Sequence, residues 1–100
     1  MVKHIVFFKL TSVGNNYAKE IELKQMEEIF SALPLKLKFI QEYRTGKNFT
    51  ITDHAWDFVI DSTFINREDL QKYQVSTEHR DAVQKASHIE KTKAIIDYEY

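Results

Sequence analysis

The sequence predicts one α+β domain of β-α-β-β-α-β order spanning residues 1–100, with a four-stranded antiparallel sheet and helices on one face. Three observations predict it. Apolar residues alternate in some segments and recur at spacings of three and four in the stretches between them, so strand and helix periods take turns along the chain. One hundred residues are one domain's worth of chain, and a 43% hydrophobic content supplies a core for it. Two glycines and one proline leave little room for long irregular loops.

Val2, His4, Val6, Phe8 and Leu10 fall on one side of the first predicted strand, with Lys3, Ile5, Phe7 and Lys9 on the other. Leu23, Met26, Ile29, Phe30 and Leu33 form the apolar stripe of a helix with Asn15 and Asn16 as candidate caps and Pro34 as its stop. Leu35, Leu37, Phe39 and Tyr43 alternate with Lys36, Lys38, Glu42 and Arg44, which predicts a second strand running into Thr45-Gly46-Lys47-Asn48. Trp56, Phe58, Ile60, Ser62 and Phe64 predict the heavy face of a third. Asn66 with Asp69 three residues on predicts a capped short helix through Leu70 and Tyr73. His79, Ala82, Val83 and Ala86 share one stripe of a further helix opening near Thr77. Ala94 to Tyr100 is the predicted closing strand.

Without cysteine the chain has no disulfide, thiolate metal site or cysteine nucleophile, a usage that favours the cytoplasm. The apolar run after His4 is broken at Lys9, too short and charged for a signal peptide or membrane span. A formal charge of -1 offers no basic field to phosphate backbones or anionic lipid. Neither nucleic acid nor membrane is therefore an expected partner.

A sheet with helices on one side normally presents a polar opposite side to water. Here the heavy face should take the helices, yet Ile5, Phe7 and Val59 remain on the other, among Lys3, Lys9, Asp57 and Asp61. An apolar patch laced with both signs of charge predicts a self-complementary, two-fold homodimer interface; scattered surface hydrophobics are the alternative.

Several ordered segments resemble the stress-responsive A/B barrel domain (Dabb) family over nearly the whole chain. These are Val2-Lys3-His4-Ile5-Val6, Gly46-Lys47-Asn48, Trp56-Asp57-Phe58-Val59 with Ser62-Thr63-Phe64, Glu68-Asp69-Leu70 with Tyr73 and His79, and Ile96-Asp97-Tyr98. The resemblance implies a ferredoxin-like subunit, two of which pack their sheets into a dimeric α/β barrel with a pocket in each between sheet and helices. Members include plant stress proteins and a polyketide cyclase that works without cofactor through pocket histidines and tyrosines. By position His4, Tyr73 and His79 match such groups, while Phe58 and Met26 stand where the cyclase has a further histidine and tyrosine. Ser76 and Thr77 replace the family's usual His-Pro pair.

His4, Tyr73 and His79 are accordingly the candidate catalytic residues, since imidazoles exchange protons near neutral pH and a phenol can donate to a substrate oxygen. The competing reading is that all three are core groups with satisfied hydrogen bonds. Phe8, Met26, Phe58, Ile60 and Val83 are the candidate lining for a small apolar or aromatic ligand. His54 and His88 flank predicted turns and should be solvated, and no HxH or HExxH spacing supports a metal site. No cofactor is expected. The leading expectation is a homodimer with an intra-subunit pocket and cyclase- or lyase-like acid–base chemistry. A non-enzymatic stress or stability protein is the second, and a cofactor-independent monooxygenase, by fold analogy, the third.

Overall fold

The computed structural model describes residues 1–12 and 14–100. Its elements are β1 (Val2–Leu10), α1 (Asn16–Ser31), α2 (Leu33–Lys36), β2 (Glu42–Lys47), β3 (Phe58–Phe64), α3 (Arg67–Gln74), α4 (Thr77–Lys85) and β4 (Lys91–Glu99). The strands form one antiparallel sheet in the order β2-β3-β1-β4, which is the predicted α+β architecture. No described helix is long and apolar enough to cross a membrane.

The helix starts follow from their caps. Asn15 accepts from the Ala18 amide at 2.8 Å and Asn66 from the Asp69 amide at 2.9 Å, each satisfying a donor that has no intrahelical partner. Ser76 does the same for α4, accepting from the His79 amide at 3.1 Å. The helices cover the sheet face that carries Val2, Val6, Phe8, Phe58, Ile60 and Phe64, all buried. Phe8 stacks on Phe30 of α1 and Phe64 packs against Tyr73 of α3. Each such buried side chain stabilises the fold by roughly 1.5–3 kcal/mol.

The second strand starts at Glu42 and not at Leu35. Pro34 lies in the first turn of α2, where its missing N–H is not needed, so the chain continues helically past it. Leu33 and Leu37, four apart, are then buried together while Leu35 is 73% exposed. The apolar alternation there comes from a helical turn, not a strand. Trp56 precedes β3 rather than belonging to its heavy face, and lies in a hollow on the opposite side with Phe7 and Val59. Asp57 is not on the open face. Its carboxylate accepts from the Leu10 amide at 2.7 Å and pairs with Lys19 at 2.7 Å, tying the end of β1 to α1.

The last strand begins at Lys91, three residues before the predicted Ala94, because pairing with β1 continues to Leu10. The face away from the helices is a half-buried apolar stripe. Phe7 lies between Val59 and Ala94, and Ile5 between Asp61 and Ile96, with Lys3 paired to Asp61 at 3.0 Å. Ile96 and Tyr98 extend the stripe and are about half exposed.

Candidate functional site

His4 is the third residue of β1 and turns its ring to the helix side because side chains alternate. Antiparallel pairing sets Asp97 of β4 directly opposite, on the same face. The imidazole Nδ1 lies 2.5 Å from the Asp97 carboxylate. An ionised carboxylate only accepts, so Nδ1 carries the proton and Nε2 is left for the interior. On the β3 side Ser62 donates to the His4 carbonyl at 3.0 Å, which fixes the backbone beneath the ring. The ring is 4% exposed, while Asp97, on the edge strand, keeps 41% of its side chain in solvent.

Tyr73 and His79 arrive from opposite sides of one turn. Asn66 starts α3 so that Tyr73, in its last turn, points at the sheet. Ser76 then joins the two elements, donating to the Tyr73 carbonyl at 2.7 Å while it caps α4 at His79. The ring centroid of Tyr73 lies 4.7 Å from that of His79 and 6.1 Å from that of His4. Its hydroxyl faces the Tyr43 hydroxyl of β2 at 3.4 Å. Burial pushes the Tyr73 phenol up, with the bond to Tyr43 opposing, so at neutral pH it is a donor. Tyr43 is also pushed up, by burial first and by Tyr73 second.

These three groups border a cavity of about 440 Å³ between the sheet and α3–α4. That volume suits a small ligand. Of the five expected lining residues, Phe8, Ile60 and Val83 border it. Met26 and Phe58 do not. Met26 is fully buried on the inner side of α1, and Phe58, opposite Phe8 at the start of β3, borders the hollow that holds Trp56, so sharing a face with the cavity residues does not bring either to its wall. Half-exposed Val83 and Ile95 stand at the mouth. His54 and His88 are at the surface, and His88 contacts Gln25 at 3.2 Å. Among the described residues no group of three His, Cys, Asp or Glu side chains could hold a metal ion.

Sequence reasoning missed Asp97, Tyr43 and Ser76. Alternation along β4 could have placed Asp97 on one face with Lys91, Lys93 and Ile95, but its partner across the sheet is 93 residues away. Ser76 had a signal in plain view, a capping serine three residues before a helical stripe.

The family model for the Stress responsive A/B Barrel Domain matches residues 2–100. A dimeric protein of unknown function with a ferredoxin-like fold from Bacteroides fragilis NCTC 9343 is 30% identical, with a TM-score of 0.85, covering 99% of this chain and 95% of that one. Hydroxynitrile lyase from Passiflora edulis is 16% identical with a TM-score of 0.76, over 97% of this chain and 90% of its own. A Dabb family protein with a ferredoxin-like fold from Mesorhizobium loti is 17% identical with a TM-score of 0.70, over 99% and 95%. No curated protein sequence matches at a significant level.

Burial lowers the proton affinity of His79, with the nearby charges of His4 and Lys93 adding to the effect and the Gln74 backbone opposing it. The unfolded chain therefore takes up this proton first as pH falls. Stability is full above the unfolded value of about 6.5 and declines as pH drops through it toward the lowered folded value. His79→Gln should make the loss of melting temperature between about pH 7.5 and about pH 5 smaller than in the parent protein. Equal or steeper losses in the variant would contradict the burial of His79.

Proposed function

The chain belongs to the stress responsive A/B barrel domain family, and on that premise we propose a two-fold dimer in which each subunit holds a small apolar or aromatic ligand and performs cofactor-free acid–base chemistry on it. The reading rests on one observation above the others. A buried imidazole, oriented by a carboxylate, clusters with a phenol and a second imidazole at one end of a largely apolar cavity.

In this reading Nε2 of His4 removes a proton from the ligand, and Asp97 holds the tautomer and stabilises the imidazolium that forms. Tyr73, protonated and anchored by Tyr43, donates to the oxygen on which charge develops. The His4 imidazolium then returns that proton to the leaving fragment or to the product carbon, and His79, kept neutral by its burial, orients the polar end of the ligand. Lyase-type cleavage and ring closure both need this sequence of removal, charge stabilisation and return. Such a protein suits a reducing compartment such as the cytoplasm, having no cysteine.

A non-enzymatic role, with the same groups completing a core, is favoured by the Tyr73 ring, only 2% exposed and packed on Phe64. Titration with a neutral aromatic probe, phenylbutanamide, separates the two readings. The carbon-bound ring protons of His4 and His79 should shift together at saturation while those of His54 and His88 stay nearly still. If the probe moves no imidazole, or all four alike, the ligand-pocket reading fails.

The dimer reading draws on the open sheet face, where burial of Ile5, Phe7, Val59 and Ile96 would remove a contiguous apolar stripe from water. Light scattering at micromolar concentration should give twice the chain mass, and Val59→Lys should halve it. A monomeric parent, or a variant that dimerises unchanged, would refute this interface.

A further inference from the structure

The two ends of the cavity differ in chemistry. At one end lie the His4, Tyr73 and His79 rings. At the other, β4 brings Lys93 opposite Phe8 and Lys91 opposite Leu10, and both lysines border the cavity. His4 and Phe8 are four residues apart on β1, a separation of about 13 Å along a strand at roughly 3.3 Å per residue. Between them the wall is apolar, formed by Val6, Phe8, Phe30 and Ile60.

Lys91 is held in place. Its ammonium donates to the carbonyls of Ala86 at 2.7 Å and Ile89 at 3.0 Å, at the end of α4, and an ammonium has a third donor to give. Lys93 has no ion-pair partner among the described residues. Among the described residues no aspartate or glutamate borders the cavity. Asp97 is committed to His4, and Glu22, the acid whose charge is felt at Lys91, accepts from Ser12 at 2.7 Å outside the cavity. The Lys93 charge is felt as far as His79. An uncompensated positive end on an apolar cavity selects an anion with an apolar body.

We propose that the ligand is an amphipathic monocarboxylate whose apolar body lies along Phe8 and Ile60 and whose carboxylate sits at Lys91 and Lys93. This assignment rests on the pocket reading above and names its ligand class. Anchoring the charge at the lysine end leaves the opposite end of the molecule beside His4 and Tyr73, where proton transfer takes place.

Phenylbutyrate and its neutral amide, phenylbutanamide, share one apolar body and differ in one charge, and NMR titration gives the affinity of each. The acid should bind the parent protein roughly three- to tenfold tighter, the factor expected for a partly screened charge pair at close range. Lys93→Gln should remove most of that advantage and Lys93→Arg should keep it, with amide binding unchanged in both. About 0.5 M salt should also erode the advantage in the parent. Acid binding no tighter than amide binding, or an advantage that survives Lys93→Gln, would overturn the anion assignment while leaving the pocket reading standing. If neither probe shifts His4 or His79, the pocket reading itself falls and the assignment with it.

Discussion

A hydrogen bond between His4 and the carboxylate of Asp97 joins an inner strand of the sheet to its edge strand, and the chemistry proposed for the cavity depends on it. A buried imidazole with no partner would cost about 1–3 kcal/mol, whereas one bonded to a carboxylate gains about 1.5–3 kcal/mol. Asp97 supplies that bond at small desolvation cost because it stays half in solvent. The pair therefore fits where it is, at the border of core and water, and it would be far harder to sustain under the middle of the sheet.

The same edge position explains why a cavity exists at all. Aromatic rings from α1, β3 and α3 fill the space above β3 and β1, as Phe30 does over Phe8 and Tyr73 over Phe64. Beyond His79, α4 offers the space above β4 only the half-exposed Val83 and, at its end, the small Ala86, and the strand itself presents Lys91, Lys93 and Ile95. Small residues above and long, solvated ones beside them leave the volume open. Ser76 then brings the turn between α3 and α4 over that opening, so that one hydroxyl sets both Tyr73 and His79.

The order of elements is legible in the sequence because each periodicity is a local property. Side-chain alternation is enough to aim His4 at the helices, and the stripes of α3 and α4 aim Tyr73 and His79 at the sheet. Where two periods coincide, local patterning misleads. Leu35, Leu37 and Phe39 read as strand alternation, yet Leu35 is exposed and a spacing of four buries Leu37 with Leu33 on one side of a helical turn. Depth is a second blind spot, since Met26 and Phe58 share the inward side with the cavity residues but are buried away from its wall. Asp97 is the clearest omission. Nothing near it in the chain says which residue it will oppose, because the register of β4 on β1 is decided across the whole domain.

If the edge-strand carboxylate sets the tautomer of the inner-strand imidazole, nitrogen NMR of the labelled protein at about pH 8, where an imidazole is neutral, reads the answer directly. The expected pattern for His4 is a protonated Nδ1 and an Nε2 that carries the lone pair, with that preference lost in Asp97→Ala. A proton on Nε2 in the parent protein, or a His4 pattern that Asp97→Ala leaves unchanged, would contradict the account.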